Sequence, residues 1–412
     1  MTTTAPEVDA RELRDGVMAF IDAEVLTIQA EIEDILHDPR RYWREDGRLC
    51  DEVVDARRRA RVASARAGYY TMFCPEELGG GGLGAGVYFT VWESICRRFG
   101  SPQTQLPFYV LAHTSTGPTA LWLHASAELR ATMLPRLLAG ESQGAFAMSE
   151  PNAGSDAWGM QSTAVRDGNE WVLNGTKQWA TWGPTADWII TFAIDDKERF
   201  AARRGGLTAF FVPTNSPGYR LDSIVGTYDE LGGEECILSF NDMRIPDEYR
   251  LGPVGEGFAV AMQGSAGLKL TKVGRTVGLA TWAYQKALEY SKVRRTFGKT
   301  LSEHQTVQNM LAESRIDIQI GRLFAKDVAA KLDNGAPVRG ESAMMDAWVF
   351  EAMYRVYDRS VQILGGMGIS NELRMTHGFH MLRTARFSEG PTEVQMRMVA
   401  NHILRGNLDV EW

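Results

Sequence analysis

The chain has 412 residues, of which 44% are apolar, 10% aromatic and 23% charged, a composition too apolar for a disordered chain and a length too great for one hydrophobic core. No run approaches the ~20 apolar residues that span a bilayer, and the opening MTTTAPEVDARELRD turns acidic where a secretory signal needs an apolar stretch, so a cytoplasmic address is expected. The net charge of −8 divides into −12 up to Gly252 and +4 from Pro253 onward; this opposes a generic nucleic-acid or membrane surface and leaves room for a polyanionic small molecule or for solvated basic helix faces.

In chain order, the first part reads as helices over 8–36, 48–68, 84–99 and 126–139, separated by Pro and Gly clusters. Its glycine tract, LGGGGLGAG at 78–86, matches GxGxxG through Gly79, Gly81 and Gly84. No strand leads into it and no βαβ unit surrounds it, so it is read as an interhelix loop rather than a dinucleotide site. The middle changes character. Ala164–Arg166 and Glu170–Leu173 flank Asp167-Gly168-Asn169 as a hairpin, and Trp188–Ala193, Leu207–Val212 and Cys236–Phe240 continue the strand pattern.

Thirteen of the fifteen prolines lie at or before Pro253, and proline costs about 3 kcal/mol inside a helix. The C-terminal third is therefore expected to be a helical bundle. Leu279, Trp282, Ala283, Lys286, Ala287 and Tyr290 form one helical stripe, and Ala312, Ile316, Ile320 and Leu323 another; both are expected in the core. Cys50, Cys74, Cys96 and Cys236 show no CxxC spacing and no His partners, which suggests buried thiols and neither a disulfide frame nor a metal site. The expected architecture is mainly α with a central antiparallel β domain. It comprises a helical domain over 1–143, a β-barrel or sandwich domain over 144–247, and a four-helix domain over 248–412.

The densest run of small and hydroxylated residues is Phe146-Ala147-Met148-Ser149-Glu150-Pro151-Asn152-Ala153-Gly154-Ser155-Asp156, at the crossing from helices to sheet. Hydroxyls and free backbone N–H groups there suit the edge of a heteroaromatic ring, and Trp179 and Thr181 would add an indole face and another hydroxyl. As spacing alone, Trp179 reads more often as core and Ser155 more often as a cap.

Together MSEPNAGSD (148–156), NGTKQWATWG (174–183), RRTFGKTLSEHQ (294–305), QILGGMGI (362–369) and RFSEGPTEVQ (386–395) resemble the flavin-dependent acyl-CoA dehydrogenases, in the same order and over nearly the whole chain. The resemblance implies noncovalent FAD, an acyl-CoA substrate, an electron-transfer flavoprotein as acceptor and a homotetramer. It implies that Phe146, Met148, Ser149, Ser155, Trp179 and Thr181 line the flavin side, with Thr181 near N5 and Ser155 also touching substrate. Arg294, Thr296, Phe297, His304 and Gln305 would meet the adenine-diphosphate half of a neighbouring subunit's FAD, and Gln362, Gly365 and Gly366 would approach the same dinucleotide. Arg supplies fixed donors to pyrophosphate, and Gly permits close backbone approach.

By the same resemblance Glu389 is the catalytic base, taking the proton α to a thioester carbonyl while a hydride leaves the β carbon for flavin N5. The Glu389 N–H and a ribityl hydroxyl would polarise the carbonyl, and a carboxylate desolvated by substrate becomes a stronger base. Gly390 would lie against substrate.

Departures from the family pattern bear on the substrate. Some relatives carry the base on a helix, at a position that falls here on Leu268, which takes no proton. Lys269 stands where an arginine usually meets the CoA or pantetheine portion, and Ala266 where its acidic neighbour is usual. Pro391 replaces a threonine, with Thr392 compensating, and Trp182 replaces an asparagine. These suggest a specialised acyl group or a carrier-protein thioester. The absence of arginine between 99 and 129 argues against the dicarboxyl, decarboxylating branch. A flavin oxidase or monooxygenase on the same fold is the other reading, against which the retained Glu389 weighs.

Overall fold

Helix occupies the proline-poor parts of the chain and strand the middle. The computed structural model describes residues 9–100, 105–113, 117–228, 230–263 and 265–408, with side chains omitted over 265–268. The side chains of Ala266 and Leu268 therefore lie outside the described ones. Helices run over Ala10–Phe20 (α1), Asp51–Arg66 (α2), Ala85–Phe99 (α3) and Ala127–Leu138 (α4). Later come Ser265–Val293 (α5), Gln305–Asp333 (α6), Arg339–Leu364 (α7), Met375–Ala385 (α8) and Thr392–Leu404 (α9). The single helix expected over 8–36 is broken: α1 passes into a π-helical turn, Ile21–Val25, and short helices follow. Val17, Ile21 and Val25, all buried, recur every four residues, a wider step than the α-helical 3.6, and a π turn absorbs such a mismatch.

The strands are Gly144–Ala147 (β1), Thr163–Asp167 (β2), Glu170–Gln178 (β3), Trp188–Ile194 (β4), Leu207–Pro213 (β5), Tyr219–Val225 (β6), Glu235–Pro246 (β7) and Arg250–Leu251 (β8). They form one sheet in the order β6-β7-β3-β2-β4-β5-β8, with β1 also on β4. The expected hairpin is present: Asp167 pairs with Glu170 across Gly168, at φ +64°, and Asn169. Most pairings are antiparallel, as expected, but β1 runs parallel to β4, and Thr163 of β2 pairs in parallel with Ile194.

Two compact units result, and the chain passes between them more than once. Asp22–Leu83 with Tyr109–Ser265 forms the unit built on the sheet. All of β4 is buried, so its alternating side chains feed two cores. Trp188, Ile190 and Phe192 join Leu121, Trp122, Leu129 and Leu137, whereas Ile189 and Ala193 join Leu173, Phe210, Val212 and Leu238. Trp122 meets Trp188 edge-on at 5.4 Å between centroids, an aromatic contact worth about 1 kcal/mol beyond burial.

The other unit takes in the chain up to Ile21, Gly84–Phe108 and Ala266 onward. α3, α5, α6 and α7 pack about one core with Val277, Leu279, Ile318, Ala325, Val349, Met353 and Tyr357. Gly278 lets α5 press against α3: an added Cβ would stand 2.4 Å from the Glu93 carbonyl oxygen. The stripe of Leu279, Ala283 and Ala287 is core as expected. The second stripe is not. Ile316, Ile320 and Leu323 are exposed, and α6 instead buries Ile318, Gly321, Ala325, Val328 and Ala329. A 29-residue helix can carry two apolar faces, and periodicity does not say which one the core covers. All four cysteines are free and buried. Among the described residues no helix is long and apolar enough to cross a membrane.

Candidate active site

In the sheet unit, the 148–156 segment leaves β1 and is held by a buried charge. Lys177 projects from β3 in the inward phase of Trp171 and Leu173, and its Nζ donates to Glu150 Oε1 at 2.7 Å. Glu150 also accepts from the backbone N–H groups of Gln161, at 2.5 Å, and Ser162, at 3.1 Å. Burial pulls the Glu150 carboxyl upward, but the Lys177 ammonium and those donors outweigh it and hold it below its ordinary value. Burial dominates at Lys177, whose ammonium is pulled below its usual range. The Gln178 N–H donates to Ser149 O at 2.9 Å, so Met148 and Ser149 are fixed against the end of β3.

Immediately beyond β3, Trp179 and Trp182 adopt φ +62° and +63°, a left-handed conformation uncommon for bulky residues and found where surrounding structure enforces it. Trp179 is 52% exposed and Thr181 is exposed. Trp182 is bolted down: its backbone N–H donates to Glu234 O, its indole Nε1 donates to Glu234 Oε2 at 3.1 Å, and its ring meets His113 edge-on at 4.9 Å. Glu234 is in turn paired with buried Arg57, which donates to Tyr42 Oη and stacks over Tyr109. Next to it, burial and the Glu234 charge push the Glu235 carboxyl up to about 7. Phe146 packs on Phe192 at 5.1 Å, and Ser155 is exposed beside Asp156, which caps the following turn.

In the helical unit, α5 ends at a hairpin, Arg295–Thr296 (β9) against Lys299–Thr300 (β10). Its tip residues Phe297 and Gly298 have φ +49° and +82°, the pair of positive angles that a type I′ turn requires. Phe297 is 97% exposed. Arg294 is exposed, Thr296 Oγ1 lies 3.3 Å from His304 Nε2, and Gln305 opens α6. At the end of α7, Gln362 is exposed and Gly365 has φ +59°. Neither Gly365 nor Gly366 has any atom within 4 Å of where a Cβ would be, so bare backbone faces open space.

The loop between α8 and α9 carries Glu389 at φ +57° and Gly390 at +103°. Lys272 Nζ donates to Ser388 O at 2.5 Å, and Gln395 Nε2 donates to Gly390 O at 3.2 Å. The carbonyls on both sides of Glu389 are thus tied down, while its carboxylate is exposed. The Glu389 N–H meets no acceptor among the described residues. Lys269 does not stand free for a ligand: its Nζ is 3.1 Å from buried Asp346 Oδ2 and donates to Gln395 Oε1 at 3.0 Å. Thr392 opens α9, and its N–H donates to Arg386 O.

Lys177, Glu150, Glu234, Arg57, Lys272, Asp346 and Gln395 were not singled out from sequence. Only Lys177 carried a signal, since period two places it inward with Trp171 and Leu173. The donor set fits the FAD that the resemblance implies. Within the sheet unit, hydroxyls and strained tryptophans sit at the end of β3; within the helical unit, Arg294 supplies a guanidinium, and Gly365 and Gly366 present bare backbone to open space, which permits close approach.

Family models for the acyl-CoA dehydrogenase N-terminal, middle and C-terminal domains match residues 7–141, 145–243 and 255–404. The chain is 33% identical over 338 residues to the mitochondrial short-chain specific acyl-CoA dehydrogenase of Homo sapiens, covering 82% of this chain and 80% of that protein. It is 32% identical to the mitochondrial isovaleryl-CoA dehydrogenase of Oryza sativa, covering 80% and 79%. The butyryl-CoA dehydrogenase structure from Megasphaera elsdenii superposes with TM-score 0.74 at 26% identity, covering 92% of this chain and 98% of that one.

Proposed function

Because this chain belongs to the acyl-CoA dehydrogenases, which are FAD-dependent oxidoreductases of CH–CH bonds, we propose that Glu389 is the base in its α,β-desaturation of a short acyl-CoA. One observation carries this assignment: a carboxylate held at positive φ between two anchored carbonyls, beside its own unengaged N–H. That N–H polarises the thioester carbonyl, which acidifies the α proton, and the Glu389 carboxylate removes it. FAD, when bound, accepts the hydride that leaves the β carbon. Positive φ at both Glu389 and Gly390 keeps the loop from relaxing into helix, so the base is presented rather than folded away.

Met148, Ser149, Trp179 and Thr181 hold the flavin ring, with Phe146 supporting them from the core. Ser155 meets substrate and flavin at the exposed end of the same segment. Arg294, Thr296, Phe297, His304 and Gln305 bind the adenine-diphosphate half of a neighbouring subunit's FAD, Gln362, Gly365 and Gly366 approach the same dinucleotide across that interface, and Thr392 serves the FAD diphosphate side. Lys269 serves the substrate through Gln395 and Gly390, by holding the Gly390 carbonyl in place. Trp182, which follows Thr181, adds bulk beside it, and a short acyl group is in keeping with the short-chain enzyme among the relatives. The segments 1–143, 144–247 and 248–412 are the functional divisions. Exposed Phe297, Ile316, Ile320 and Leu323 suit a homotetramer, the acceptor is an electron-transfer flavoprotein, and the enzyme works in the cytoplasm.

The test is anaerobic mixing of the yellow holoenzyme with acyl-CoAs of graded length and branching, followed by flavin absorbance. Bleaching by short thioesters supports the reading; no bleaching by any acyl-CoA moves the substrate to a carrier-bound acyl group. Glu389→Gln should retain FAD and lose bleaching by about a thousandfold or more, the scale of removing a general base. Bleaching within a few-fold of wild type would place the base elsewhere.

A further inference from the structure

α5 sends two lysines one turn apart toward the Glu389 loop, and the two reach it differently. Lys269 is neutralised by a direct ion pair with Asp346 and acts on Gly390 through Gln395. Lys272 forms no ion pair within 4 Å among the described residues; its ammonium lies over the Phe350 ring at 4.7 Å and donates to Ser388 O. A part-buried cation with no anion in contact is costly, which points to a role in the loop it touches.

We propose that Lys272 is the positioning residue of the catalytic loop: it anchors the Ser388 carbonyl and so holds Glu389 in its positive-φ conformation. The proposal rests on Glu389 being the base. A non-glycine residue at φ +57° persists only where its neighbours fix it, and the Ser388 anchor is the fixation on its N-terminal side. Burial pulls Lys272 below lysine's ordinary range, while the charges of Glu389 and then Asp346 act to keep it protonated, with Lys269 opposing. Asp346 faces the same lysines from α7, and burial raises its carboxyl above the usual range although Lys269 and Lys272 oppose this.

The experiment tests the anchor by rescue. A substrate analogue with sulfur in place of the β carbon can lose its α proton but cannot be desaturated, so exchange of that proton in D2O, followed by mass spectrometry, reports Glu389 without turnover. Lys272→Arg and Lys272→Gln keep an N–H donor for Ser388 O, whereas Lys272→Met and Lys272→Leu keep none. Exchange should fall about tenfold or more in Lys272→Met, the scale of a displaced reacting group, and return to within a few-fold of wild type in Lys272→Arg or Lys272→Gln. FAD content and melting temperature establish that each variant is folded, and Lys272→Leu decides the question if Lys272→Met is not. Wild-type exchange in the variants without a donor, with Glu389→Gln inert, overturns the role of Lys272 alone. Wild-type exchange by Glu389→Gln instead overturns the assignment of the base and this proposal with it.

Discussion

Removing the Lys177 ammonium should be among the most damaging single changes to the 148–156 segment. The side chains of Lys177 and Glu150 are 0% and 5% exposed, so Lys177→Met strands a buried carboxylate. Breaking a buried pair from one side costs about 3–5 kcal/mol. The lower end applies here, because Glu150 keeps its bonds from the Gln161 and Ser162 N–H groups. A deficit of about 3 kcal/mol is therefore expected in urea denaturation of the holoenzyme near neutral pH. Lys177 also reaches Met148 O at 3.4 Å, so FAD affinity should fall too, by about tenfold for each 1.4 kcal/mol of the loss expressed in that loop. The pH dependence gives a second signature. In wild type Glu150 is held below its reference of 4.5, so its contribution is present above that value and is lost as pH falls through the lower folded value. In Lys177→Met a protonated Glu150 no longer carries an unpaired charge, and the deficit should shrink in acid. Adding Glu150→Gln should recover part of the loss, since a neutral amide replaces the stranded charge. A deficit under about 1 kcal/mol, or one independent of pH, would refute the argument.

Three further outcomes are expected. Gly390→Ala places a methyl 2.6 Å from Gln395 Nε2 on a backbone at φ +103°; the strain, about 1–3 kcal/mol, should lower kcat about tenfold or more with FAD content unchanged, as single-turnover flavin reduction will show. Glu235, raised to about 7 from 4.5, keeps its proton in the folded state after the unfolded chain has lost it. Stability should therefore decline as pH rises from about 4.5 to about 7, by about 3 kcal/mol at most, and melting curves of Glu235→Gln should lack that slope. Phe297→Asp puts a charge on an aromatic hairpin tip that is 97% exposed in the isolated chain. A smaller assembly by light scattering, with weaker FAD retention, is expected; unchanged mass and colour would remove the tip from the interface.

The order of helices, sheet and helices was legible because proline, glycine and side-chain periodicity act over a few residues. The hairpin at 167–170 and the helices α5 to α7 follow from such rules. Five motifs carried the resemblance to the acyl-CoA dehydrogenases, and the expected chemistry came from that resemblance. Only tertiary structure decided which apolar face of α6 meets the core, burying Ile318 and leaving Ile316, Ile320 and Leu323 outside. It alone joined Lys177 to Glu150 and divided the work of Lys269 and Lys272. It also set Glu389 at positive φ. The reason is the same in each case: burial and charge pairing depend on what distant segments bring to a side chain, and one sequence pattern serves a core face, an open face or a catalytic loop until those neighbours arrive.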